Sequence, residues 1–111
     1  MIRSTPSLRL STQRPLKVGD RFTVFVNIGK LSDGWTLLEK PISVELVTSD
    51  HFQIRNAFKR FSPNDLRKGV RVIRFQVKMV KANRAPQIIR AYFNYNGRPS
   101  GMTEWVPQLS P

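Results

Sequence analysis

Apolar and polar residues alternate with a period of two along most of the chain, which is the spacing of strands that bury one face. The clearest stretch is 21–28, where Phe22, Val24, Val26 and Ile28 share a face and β-branched side chains suit a pleated surface. The same rhythm predicts strands at Leu8 and Leu10, at Ile42, Val44 and Leu46, and at Phe52 and Ile54. A long strand carries Ile73, Phe75, Val77 and Met79, and the next carries Ile89, Ala91, Phe93 and Tyr95. Val72 beside Ile73 breaks the phase and predicts a bulge where the long strand begins.

The connections are read from turn chemistry. Asn96-Gly97 predicts a type I′ turn, because both central residues of that turn need positive φ, so the chain reverses into a last strand over 102–106. Ser49-Asp50 predicts a tight turn that makes 42–54 a hairpin. Residues 29–41, with Trp35, read as a long connection, and 81–86 as a polar one. In 57–69, Ser62-Pro63-Asn64-Asp65 is a poor match to a capping box, and a loop is expected. Seven short strands without a repeat predict an all-β fold, an antiparallel immunoglobulin-like β-sandwich, with a small closed barrel as the alternative. A chain of 111 residues has room for one core, placed at 7–107 between tails at 1–6 and 108–111.

The run Val18-Gly19-Asp20-Arg21-Phe22-Thr23-Val24-Phe25-Val26 resembles the turn and second strand of bacterial immunoglobulin-like and fibronectin-like sandwich modules. The 42–54 pair, the long strand and the Asn96-Gly97 hairpin follow in the expected order. Within that group the chain is similar to the accessory modules that accompany caspase-like effector domains in defence-type proteins. The resemblance implies an interaction role beside another domain. The chain departs from antibody domains in having no Cys pair and in placing Trp35 before the third strand.

Composition narrows the chemistry. Hydrophobic residues at 40% and charged residues at 23% are ordinary globular usage. The absence of cysteine removes disulfides, thiolate metal sites and Cys nucleophiles together. No apolar run reaches the length of a signal peptide core or a membrane span, so a cytoplasmic location is expected. His51 is the sole histidine and reads as a turn-edge residue; the seven acids are scattered, and Gly29-Lys30 lacks the rest of a phosphate loop. A non-catalytic protein without metal or cofactor is expected.

Charge points to binding. The formal net charge is +12, and residues 51–98 hold twelve Lys or Arg against one acid, Asp65. Arg74 and Lys78 lie opposite the apolar face of the long strand, and Arg90 with Tyr92 would extend that stripe if their strand were its neighbour. A second cluster is Phe58-Lys59-Arg60-Phe61 with Arg55 upstream, where the two phenylalanines are expected to pin a loop onto the core; Arg98 adds a cation at the last hairpin. The competing reading is that polar sandwich faces must be hydrophilic anyway and that Lys and Arg discourage edge aggregation. Trp105 reads either as an interface anchor or as packing of the last strand. An acidic protein partner or a neighbouring domain is the favoured guest, and nucleic acid the alternative.

Overall fold

A computed structural model describes residues 4–12, 14–29, 40–68, 71–81 and 87–108. In chain order these form β1 (Ser7–Leu10), β2 (Arg21–Asn27), β3 (Ile42–Val47), β4 (Phe52–Arg55), β5 (Phe58–Phe61), α1 (Pro63–Arg67), β6 (Val72–Met79), β7 (Ile89–Tyr95) and β8 (Arg98–Trp105). The strands build two antiparallel sheets, β1-β2-β6-β4 and β5-β3-β7-β8. The sandwich expected from the alternation is present, with eight strands in place of seven.

Each sheet turns its apolar face to the other. Val24, Val26, Phe75 and Val77 from the first sheet meet Val44, Leu46, Ala91 and Phe93 from the second in one continuous core. Leu16 and Leu66, from the connections, close it and are as buried as the strand residues. Burying a Val, Leu or Phe side chain contributes about 1.5–3 kcal/mol, so this core is the main source of stability.

The extra strand explains one departure from expectation. Residues 58–61 do not loop but pair with β3, Phe61 opposite Ile42 and Phe58 opposite Glu45. Alternation then sends Phe61 toward the core and Phe58 outward, where it is 40% exposed. Only one of the two phenylalanines pins anything. The expected 42–54 hairpin is also absent: β3 pairs with β5 and β7, whereas β4 pairs with β6 in the other sheet. The turn at Ser49-Asp50 is a corner between layers, anchored where the Ser49 hydroxyl donates to Gln87 Oε1 at 2.6 Å. Crossing layers lets Leu46 and Phe52 bury against opposite sides of the same core.

Two local expectations also change. Ser62 does cap a helical turn: its hydroxyl accepts the Asp65 N–H, and the Asp65 carboxylate accepts the Ser62 N–H at 2.9 Å, a complete capping box with Pro63 in the first turn. The loop reading failed because Asp fills the position where Glu or Gln is usual. Ser62→Ala is expected to destabilise the domain by about 1 kcal/mol, measurable by urea denaturation. The register shift lies between Phe93 and Asn94, opposite β8, and not at Val72, which pairs regularly with Asn27. The Asn96-Gly97 turn has the expected positive φ at both residues, 52° and 77°. Trp35 and residues 82–86 lie outside the described residues.

The N-terminal segment joins the layers. Ser4, inside the stretch read as a tail, is buried; its N–H donates to the Ser100 carbonyl of β8 at 2.9 Å and its hydroxyl to the Ile28 carbonyl just after β2. Glycine makes that passage possible. A Cβ on Gly101 would stand 2.5 Å from the Ser4 carbonyl oxygen, and one on Gly29, whose φ is +74°, would collide with the Thr5 carbonyl.

Two surface carboxylates clasp turns. The backbone N–H of Lys17 and the Arg14 guanidinium, both at 3.1 Å, hold the Asp20 carboxyl below the ordinary aspartate range. The Lys81 ammonium at 2.8 Å does the same for Asp50. A carboxyl whose pKa is lowered by folding stabilises the fold above its unfolded pKa and loses that contribution as pH falls through the folded value. Both clasps are therefore expected to weaken only in acid, with NMR titration midpoints for Asp20 and Asp50 below those of the unfolded chain.

Candidate cationic face

The outward side chains of β2 are Arg21, Thr23, Phe25 and Asn27, and those of β6 are Val72, Arg74, Gln76 and Lys78. The register sets them side by side: Arg21 opposite Lys78, Thr23 opposite Gln76 and Phe25 opposite Arg74. β1 adds Arg9 beside Phe25, and β4 adds Gln53 beside Lys78 and Arg55 beside Gln76. The outer face of the first sheet thus carries, among the described residues, Arg9, Arg21, Arg55, Arg74 and Lys78 and no carboxylate. Among the described residues none of these five is in an ion pair.

The face has internal order. Phe25 lies between two guanidiniums, Arg9 Cζ at 4.3 Å and Arg74 Cζ at 5.6 Å from its ring centroid. Such contacts attract by about 0.5–1 kcal/mol at an exposed site and fix the planes of both cations. In the next row the Thr23 hydroxyl donates to Gln76 Oε1 at 3.2 Å, which leaves the Gln76 amide N–H groups as donors to a guest. Arg21, Arg55 and Lys78, with Gln53 and Gln76, line a shallow 540 Å³ concavity. Ile54 and Val77 complete its lining, so the cations and amide donors, which suit an anion, share it about equally with apolar surface.

The residues singled out from the sequence are split by the fold. Arg55, Arg74 and Lys78 share this face. Arg90 and Tyr92 do not join them, because β7 lies in the other sheet and pairs with β3 and β8. Arg90 is instead bound to Glu104 at 2.8 Å on the opposite side of the sandwich. Arg60 is on that opposite side as well. Lys59 alternates inward: its ammonium caps the Phe75 ring at 5.1 Å and donates to the Arg74 carbonyl, an inward charge at the sheet edge. Arg98 is exposed at the β7–β8 turn, opposite Tyr95.

Two members of the face, Arg9 and Arg21, were missed. The charge count favoured the second half of the chain, yet both alternate against buried Leu10 and Phe22. Their outward phase was the signal available. His51 sits in the corner turn, its Nδ1 3.2 Å from the Ser49 hydroxyl and 3.4 Å from an Asp50 oxygen. No group of metal-ligating residues occurs among the described residues. Trp105, 44% exposed at the end of β8, borders a 330 Å³ groove with Leu16 and Pro107. No helix among the described residues is long and apolar enough to cross a membrane.

No family model matches the chain, and no curated protein matches it. A solved structure of WR4, a C. elegans MSP family member, is similar in fold: the TM-score is 0.59 at 7% identity, over 93% of this chain and 97% of that chain. At that identity the likeness establishes the β-sandwich architecture and nothing about ligands.

Proposed function

We propose that the chain is a non-catalytic interaction module that holds an acidic protein partner, or an acidic neighbouring domain of a larger assembly, against the outer face of its first sheet. The observation that carries this reading is the sorting of charge: five cations on one face, with neither an ion pair nor a carboxylate there among the described residues. An accessory place beside an effector domain, as the sequence resemblance implies, agrees with it. So does a sandwich fold, whose rigid strands hold a surface in place without building an active-site cleft.

Magnitudes set what the charges do. Five exposed ion pairs at about 0.2–1 kcal/mol each contribute about 1–5 kcal/mol, short of the roughly 8 kcal/mol of a micromolar complex. The cations therefore steer and orient the partner, and contacts in the concavity and against Val72 supply the rest. Nucleic acid fits less well. Phe25 is the one aromatic of this face, and its ring already lies between Arg9 and Arg74, so bases find no open stacking platform.

Matched charge reversals test the reading. The partner is recovered from the native source by cross-linking to wild type, to Arg74→Glu/Lys78→Glu and to Arg60→Glu/Arg90→Glu. Loss with the first pair and retention with the second is expected. Retention with both removes the face from the account. Tight binding of a thymidine oligonucleotide, with a log–log salt slope near −0.7 per neutralised phosphate, would replace a protein guest by a single strand.

A further inference from the structure

We propose that the concavity over β2, β6 and β4 is a phosphate site, which the acidic partner meets with a phosphorylated serine or threonine. The inference rests on the cationic-face reading and goes further, from acidity in general to one dianionic group at one place. The cations of this face are of two kinds. Arg9 and Arg74 already share the Phe25 ring. The side chains of Arg21, Arg55 and Lys78 make no hydrogen bond, ion pair or ring contact among the described residues. These three line the concavity.

The register makes them neighbours. Arg21, Lys78 and Gln53 form one cross-strand row, and Thr23, Gln76 and Arg55 form the next. Directly opposite Cβ atoms of antiparallel strands are about 5 Å apart and diagonal ones about 7 Å, distances that long side chains span. Like charges placed directly opposite destabilise a sheet. On the other sheet the same kind of position is neutralised: Arg90 stands opposite Glu104 and is bound to it at 2.8 Å. Arg21 opposite Lys78, with Arg55 on the diagonal, is the reverse arrangement. Cations held together against their repulsion, around a hollow, break a rule of sheet stability in the way that binding sites do.

Charge and shape select the group. One carboxylate would answer one of the three cations. Three separate carboxylates crowded into 540 Å³ would repel one another as the cations do. A phosphate monoester carries about −1.5 to −2 charge on three oxygens bound to a single atom. The two guanidiniums offer planar forks to those oxygens, and the Lys78 ammonium adds a point charge. The Gln76 amide N–H groups, which Thr23 leaves open, are further donors. Ile54 and Val77 give the carbon stem that joins a phosphate to a polypeptide an apolar seat. A free inorganic ion has no such stem, and a lipid surface presents its phosphates in a plane, whereas these cations surround a hollow. Phosphorylation of the partner would then set when it is held.

Three short acidic peptides, identical but for a central serine, phosphoserine or glutamate, are titrated into the isotopically labelled full chain. The phosphoserine peptide is expected to bind at least about tenfold more tightly than the glutamate peptide, the gain from one further charge-assisted hydrogen bond. The largest amide shifts should lie at Arg21, Arg55 and Lys78. Arg21→Gln/Lys78→Gln, checked by circular dichroism, should abolish the preference, and Arg60→Gln, on the other sheet, should leave it intact. Lys78→Gln alone should not lower the urea midpoint, since it ends the opposition to Arg21. A lowered midpoint would show that the cations are at ease together and overturn the proposal. Equal affinity for the phosphoserine and glutamate peptides overturns it while the cationic face stands; no shift with any of the three peptides removes both. Inorganic phosphate that binds as tightly as the phosphopeptide, or flotation with phosphatidic acid vesicles without a phosphopeptide preference, would give the site to a free ion or a membrane and overturn it likewise.

Discussion

Phe75→Ala will destabilise the domain by about 3–5 kcal/mol, a third or more of the stability of a typical small domain. Phe75 is fully buried on β6, opposite Val24, at the centre of the core. Truncation removes the ring's contacts and leaves a cavity that the two rigid sheets cannot close. It also removes the ring that Lys59 caps. Phe25, one strand away and in the same sheet, faces outward beneath two guanidiniums. Phe25→Ala is therefore expected to lose less, about 2–3 kcal/mol, from half-buried area and two cation–π contacts. Urea denaturation of the two variants compares them directly. Equal losses would mean that the faces of the first sheet are wrongly assigned.

Gly29→Ala is expected to cost about 2–5 kcal/mol, from two sources. Its φ of +74° strains any residue with a Cβ by about 1–2 kcal/mol. The added carbon also collides with the Thr5 carbonyl, and relieving overpacking of this kind costs about 1–3 kcal/mol. The change should free the N-terminal segment, since Ser4 is held both by Ile28, next to Gly29, and by Ser100. Hydrogen exchange at the Ser4 amide will report that release. Gly101→Ala, which meets the same segment from the other sheet at 2.5 Å, should give the same exchange signature without the φ strain. Unchanged protection at Ser4 in both variants would show that the segment does not depend on these glycines.

Alternation made the strands legible because each sheet is dry on one side only. Phe22, Val24 and Val26, or Ile73, Phe75 and Val77, repeat at the period of the pleat, and the structure buries all six. What alternation does not encode is which strand neighbours which. Arg90 and Tyr92 share the outward phase of Arg74 and Lys78, and nothing local to either strand distinguishes one sheet's outer face from the other's. β6 and β7 belong to different sheets, so the chain changes layer between Met79 and Ile89, and the Ser49–Gln87 bond that ties this connection to the β3–β4 corner joins positions 38 residues apart. The short strand 58–61 was missed for a related reason. Phe-Lys-Arg-Phe does not alternate, because the inward position at Lys59 is an ammonium at the sheet edge and not an apolar side chain. Arg9 and Arg21 were legible from their phase but were hidden by a count over the second half of the chain.

The account rests on charge being sorted by face, and a titration of isotopically labelled protein with a short peptide of alternating aspartate and glutamate tests that sorting most directly. Backbone amide shifts are predicted to move in β2, β4 and β6, around Arg21, Arg55, Arg74 and Lys78, and to stay fixed in β3 and β7. Shifts of equal size around Arg60 and Arg90, or none at all at low salt, would contradict it.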